Sequence, residues 1–234
     1  MFCVKRWSIF LVLALAALMT GCGRNSIDEV DFGGFTSGSV YTNRYFGLKV
    51  PIPSSWSIQD QEAQRRLIKT GGKLMAGDDK NLKAALKAAE MQTVPLFTVL
   101  QHPLGTPGAY NPNIVGVAEQ VRQLPGIKKG SDYLYHAKKL MQSGQLEMSI
   151  ADEFHPRKIG GVDFDVMDMQ MAIGGLRLKQ KYHVAIVKGY ALGMIISFSN
   201  DEQEAALEKI LDGVRFDSNP NPPSSSTQAA TSAR

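Results

Sequence analysis

The stretch VDFDVMDMQMAIGGLRLKQKYHVAIVKGYALGMIISFS, residues 162–199, decides the fold. Ile173-Gly174-Gly175-Leu176 marks a two-residue hairpin turn, because both central glycines accept the positive φ such turns require. Pairing Ile173 with Leu176 sets the register. Met171 then opposes Leu178, Gln170 opposes Lys179, Asp168 opposes Lys181 and Met167 opposes Tyr182, so each side chain meets a compatible partner. Upstream the apolar parity changes: Val162, Phe164 and Val166 stand on even positions, Met167, Met169 and Met171 on odd ones. A β-bulge near Val166 and Met167 brings both sets to one face, and predicts that Phe164 faces Val184 and Asp165 faces His183. A second turn at Lys188-Gly189 leads into residues 192–198, an apolar run that reads as a central strand.

Beyond this segment the pattern becomes mixed. Residues 201–211 carry Ala205, Leu207, Ile210 and Leu211 at helical spacing and predict a closing helix, with residues 214–216 as a last short strand. Ser131 and Asp132 can cap a helix whose apolar face is Leu134, Ala137, Leu140 and Met141. Residues 114–121 suggest a strand running toward Pro125, with a helix beginning near Val117 as the competing assignment. Residues 102–113, with three prolines and two glycines, form a loop, and residues 96–100 a short strand. Residues 59–91 read as helix in two pieces, since Gly71-Gly72 and Gly77 interrupt. Residues 45–52 read as a strand that Pro51 and Pro53 bring to an end. Helices and hairpins together predict an α+β domain.

The ends of the chain are different in kind. The chain has 234 residues, 44% of them hydrophobic, two cysteines and a net charge of +4, which excludes a disordered polymer and a disulfide-stapled miniprotein. Lys5 and Arg6 precede an apolar run at residues 9–19, and Met19-Thr20-Gly21 leads to Cys22. That is the layout of a signal peptide over residues 1–21. Its apolar run reaches roughly 17 Å as a helix, too short for a hydrocarbon core about 30 Å thick. The approach to Cys22 resembles the bacterial lipobox, which implies acylation of that cysteine and attachment to a membrane through its lipid. Gly23, standing where Asp would signal retention on the inner membrane, favours an outer membrane where one is present. Residues 22–39 read as a lipidated tether, residues 218–234 as a disordered tail, and residues 40–217 as one domain. Loss of Lys5 and Arg6 lowers the charge from +4 to +2, which offers no basis for nucleic-acid binding.

Candidate chemistry is sparse. Arg177, Lys179, Lys181 and His183 form a row at intervals of about 6.7 Å on one strand face, expected to point outward as an interaction face for an acidic partner or anion. Cross-strand pairing with Asp168 and Asp165 is the simpler account of the same row. Met167, Met169 and Met171, with Met148 and Met194, have the soft ligands that select Cu(I), but the hairpin register turns the triplet inward as core. Asp152, Glu153 and His155 lie close together without a second His or Cys at ligand spacing, and His102, His136 and His183 are isolated, so no metal is expected. Gly71-Gly72-Lys73 lacks phosphate-loop spacing and has Leu74 in place of the hydroxyl residue. There is no GxSxG and no cysteine nucleophile in the mature chain. Neither catalysis nor a cofactor is expected.

Tyr45-Phe46-Gly47-Leu48-Lys49-Val50-Pro51 with Trp56, Asn113-Ile114 with Ala118-Glu119, Gly160-Gly161-Val162-Asp163-Phe164, Gln180-Lys181-Tyr182 and Lys188-Gly189-Tyr190-Ala191-Leu192 occur in this order. Together they resemble the PsbP-like and Mog-type superfamily over nearly the whole domain. The resemblance implies an α/β/α sandwich in which helices flank a central antiparallel sheet. It also implies a protein that binds rather than catalyses, with a protein partner and a part in assembling or stabilising an envelope complex. A small-ligand or metal carrier is the second class of function, and an enzyme with a dispersed site the third.

Overall fold

The computed structural model describes residues 30–217 except 37, 38, 108, 109 and 145. Four short strands open it, β1 (Gly34–Thr36), β2 (Val40–Asn43), β3 (Leu48–Pro51) and β4 (Ser57–Ile58), followed by α1 (Gln61–Ala76) and α2 (Lys80–Gln92). Strands β5 (Thr93–Leu100) and β6 (Asn113–Gln120) precede α3 (Gly130–Gln142) and the short β7 (Met148–Ile150) and β8 (His155–Ile159). The hairpin β9 (Val162–Ile173) and β10 (Leu176–Val187) continues into β11 (Tyr190–Phe198), α4 (Asp201–Asp212) and β12 (Arg215–Phe216).

The main sheet is antiparallel in the order β4-β5-β6-β11-β10-β9-β7, with β8 also paired to β9, and a second sheet runs β1-β2-β3-β12. On one face of the main sheet, Leu207 and Leu211 of α4 and Leu48 and Val50 of the small sheet pack with Leu192 and Ile196 of β11. On the other, Leu134 and Met141 of α3 pack with Met167, Met169 and Val184. Helices therefore cover both sides of a central antiparallel sheet, an α+β sandwich as expected, with the small sheet as an additional piece on the α4 side.

The hairpin register runs as predicted from Ile173↔Leu176 through Met167↔Tyr182. The bulge does not exist: pairing continues without a shift to Val166↔His183 and Asp165↔Val184. The parity change has another cause. Phe164 belongs to the core under α4 and the small sheet, while Met167 and Met169 belong to the core under α3. A strand covered on both faces carries apolar residues on whichever side is locally sealed, so its pattern switches phase without an extra residue.

Two further differences have simple physical origins. Helix α1 runs through Gly71-Gly72, whose interior positions each cost about 1 kcal/mol relative to alanine. It stops at Gly77, where φ is 50° and the backbone N–H donates to the Lys73 carbonyl. The strand expected near residues 114–121 is β6, and its pairing with β5 on one side and β11 on the other removes the competing helix. The domain also begins before residue 40. Val30 is buried, β1 pairs with β2, and Tyr41 and Asn43 donate to the carbonyls of Phe32 and Asp31, each at 2.8 Å. The predicted signal peptide, Cys22 and the tail lie outside the described residues. Among the described residues no helix is long and apolar enough to cross a membrane.

Candidate functional site

Between the α1–α2 hairpin and the main sheet lies a cavity of about 1100 Å³. Its origin is the light packing of those helices. Along α1 only Ala63, Gln64 and Ala76 are buried, and along α2 only Leu82, so the hairpin is held near its ends and stands away from the sheet between them. Ile68 and Met75 of α1 and Leu86 of α2 turn half-buried side chains into this space. Val117, Met171, Leu178 and Tyr182 form the floor, and Ile173 and Leu176 at the hairpin tip form one end.

The polar groups of the floor satisfy one another. Tyr182 donates from its hydroxyl to Gln180 Oε1 at 3.2 Å, Gln180 Nε2 donates to Ser197 Oγ at 2.6 Å, and Asn113 Nδ2 donates to the Tyr110 hydroxyl at 3.0 Å. Burial pushes the Tyr182 phenol up to about 12 and raises that of Tyr110, so both stay neutral. Below the same sheet face, Tyr133 donates to Glu119 Oε2 at 2.6 Å, and burial raises both groups. An occupant of the cavity thus meets an apolar surface whose hydrogen bonds are already made.

The rim is cationic. Arg65, Lys69 and Lys73 stand at i, i+4 and i+8 on α1, and Lys83 and Lys87 at i and i+4 on α2, against the single acid Glu90. Lys83 reaches Asp78 at 3.9 Å, and the Arg65 guanidinium lies 6.0 Å from the centre of the Phe32 ring. Among the described residues Lys69, Lys73 and Lys87 make no ion pair. Like charges at i,i+4 each disfavour a helix by about 0.2–0.5 kcal/mol, so this rim works against the stability of its own helices.

The basic row predicted to face outward lies instead along the seam between β10 and α4. Lys181 Nζ sits 2.6 Å from Glu204 and 3.5 Å from Glu208, and Lys179 Nζ 3.5 Å from Asp201. His183 is fully buried. Its Nδ1 lies 3.1 Å from the Met194 carbonyl, which can only accept, so Nε2 accepts from the Arg157 guanidinium at 3.2 Å. Burial, reinforced by Arg157, pulls the His183 imidazole down to about 3. Arg157 in turn binds Glu208 and, at 3.0 Å, Asp212. The outward assignment fails because the acidic side of α4, not water, covers that face. Only Arg177, beside the turn, is exposed. Asp168 opposes Lys181 as predicted, but Asp165 is across from Val184 and accepts from the Ser131 N–H at 2.7 Å, tying the start of α3 to the sheet.

Asp152, Glu153 and His155 do not converge. Asp152 is 3.5 Å from Lys138, and His155 Nδ1 is 3.4 Å from Asp168. Among the described residues no three His, Cys, Asp or Glu side chains are grouped to hold a metal. The methionines divide between two cores, Met194 on the α4 side and Met167 and Met169 on the α3 side. The cavity was not anticipated, although one trace of it is present in the sequence: basic residues repeat every fourth position in 65–73, beside the apolar Ile68, Leu74 and Met75.

No protein-family model and no curated protein matches the chain. Solved structures similar to it include cyanobacterial PsbP (CyanoP) from Synechocystis sp. PCC 6803, at 12% identity over 79% of this chain and 96% of that one, with a TM-score of 0.45. LpqN, described as involved in cell envelope biogenesis of Mycobacterium tuberculosis, is 12% identical over 77% of this chain and 86% of its own, with a TM-score of 0.40. PA94 from Pseudomonas aeruginosa, a protein of unknown function, is 14% identical over 47% and 75%, with a TM-score of 0.37. Likeness at this distance transfers no residue and no activity.

Proposed function

We propose that this chain is a lipid-anchored cell-envelope protein, acylated on Cys22, whose domain binds a small apolar or amphiphilic ligand between the α1–α2 hairpin and the sheet and does not catalyse a reaction. The cavity of about 1100 Å³ carries this reading. It lies just above the usual range of ligand-site volumes, roughly 300–1,000 Å³, and has an apolar floor with its polar groups internally paired. The envelope location rests on the layout of residues 1–22, and the outer membrane on Gly23.

Filling the cavity tests the binding role. The wild-type chain should bind an apolar fluorescent probe at one site, and Leu178→Trp, folded by circular dichroism, should lose that site. Absence of saturable probe binding by the wild type refutes the ligand reading. Incorporation of labelled palmitate by the wild type and not by Cys22→Ala tests the anchor. A protein partner in an envelope complex is the second reading, favoured by the exposure of Arg177 and the 49% exposure of Leu176 at the hairpin tip. Its test is crosslinked capture from native membranes with Leu176→Ser/Arg177→Gln, and an unchanged set of captured proteins removes that tip from consideration.

A further inference from the structure

We infer that the ligand is a single-chain amphiphile with an anionic head, its alkyl chain on the sheet floor and its carboxylate or phosphate among Lys69, Lys73 and Lys87. The inference rests on the reading that the cavity holds an apolar ligand, and adds the chemistry of the head group. Two observations carry it. The floor presents no unmet hydrogen-bonding group, since Tyr182, Gln180 and Ser197 are linked to one another, so the buried part of the ligand is apolar. The charged groups left at the rim are mostly cations, with Glu90 the single acid among the lining residues. Lys69, Lys73 and Lys87 border the cavity without an ionic partner among the described residues, and Lys69 and Lys73 repel one another one helical turn apart. An anion placed among them relieves that repulsion and replaces it with charge-assisted hydrogen bonds. A neutral ligand, including the protein's own glyceride-linked acyl chains on Cys22, leaves the repulsion in place.

The test uses the full chain carrying Cys22→Ala, titrated calorimetrically with dodecanoate, dodecanol and dodecyltrimethylammonium. One-to-one binding of dodecanoate about tenfold tighter than dodecanol is expected, with the cationic surfactant weakest and the preference shrinking as salt is added. Decanoate should bind roughly tenfold more weakly than dodecanoate, because two methylenes leave the cavity. Lys69→Gln/Lys73→Gln/Lys87→Gln changes only exposed residues, so its fold is preserved, and it should abolish the preference for the anion while retaining dodecanol binding. Equal binding of all three probes overturns the head-group assignment and leaves the apolar-ligand reading intact. Binding of none of them refutes that reading as well. If the acylated wild-type chain refuses dodecanoate while Cys22→Ala accepts it, the anchor's own chain is the occupant and the anionic ligand is overturned.

Discussion

Acidification from pH 7.5 to 5 is expected to destabilise the domain through His183. In the unfolded chain this imidazole titrates near 6.5, and in the folded chain near 3. Between those values the unfolded chain binds a proton that the folded chain refuses, so stability rises with pH there and is lost as pH falls below about 6.5. At pH 5 the gap is about 1.5 units at about 1.36 kcal/mol each, a loss of about 2 kcal/mol. That figure holds for any folded value below about 4. It is a large share of the 5–15 kcal/mol typical of a domain. The cause is geometric: the ring is fully buried, Nδ1 is committed to Met194, and Nε2 faces the Arg157 cation, so a second proton finds neither water nor an acceptor. His183→Gln can keep both hydrogen bonds, its amide N–H toward Met194 and its amide oxygen toward Arg157, and does not titrate. The assay is urea unfolding of both proteins at half-unit steps of pH. Because Arg157, Lys181, His155, Glu208 and Asp212 are common to the two, the difference curve isolates residue 183. It should shift by about 2 kcal/mol in favour of the variant between pH 7.5 and 5, and a flat difference curve would falsify the argument.

Two other substitutions probe the packing of α3. A Cβ on Gly130 would lie 2.0 Å from the Val184 carbonyl oxygen, so Gly130→Ala must push the start of α3 off the sheet and should cost about 2–3 kcal/mol in chemical unfolding. Gly126→Ala, with nothing within 4 Å of the added carbon, is the control and should be neutral or slightly stabilising; equal effects at both positions refute the contact. Glu119 is raised by burial, so the folded chain holds its proton longer than the unfolded chain and stability falls as pH climbs above 4.5. Glu119→Gln should therefore gain on the wild type between pH 4 and 8 in the same unfolding assay, and an unchanging difference removes the carboxyl as a source of that pH dependence.

The hairpin was legible because Gly174-Gly175 leaves only one economical turn, and a turn of known length determines every pair behind it. The phase of β9 was not, because apolar parity reports burial without saying which face is buried, and here both faces are. The edges were also hidden. Strand β8, reading His155-Pro156-Arg157-Lys158-Ile159, is mostly exposed and polar, with a proline that an edge can accommodate, and β7 has only three residues. The basic row was found on one face, but what covered that face depended on the acidic side of α4 arriving from a later part of the chain. The cavity is least visible of all. It is made by helices that fail to close on a sheet, and an unfilled volume has no residue of its own.

Strand β4 pairs directly with β5, Ser57 against Leu100 and Ile58 against Val99, so the α1–α2 hairpin is an excursion inserted between neighbouring strands. The sheet closes whether the chain crosses that gap in a few residues or in thirty, since each doubling of a connection costs only about 0.6 kcal/mol in closure entropy. Residues 59–92 can therefore change in length and composition while the rest of the domain keeps its architecture. Descendants of one ancestral sandwich could keep the sheet and exchange the roof, each acquiring a chamber of different volume and different charge.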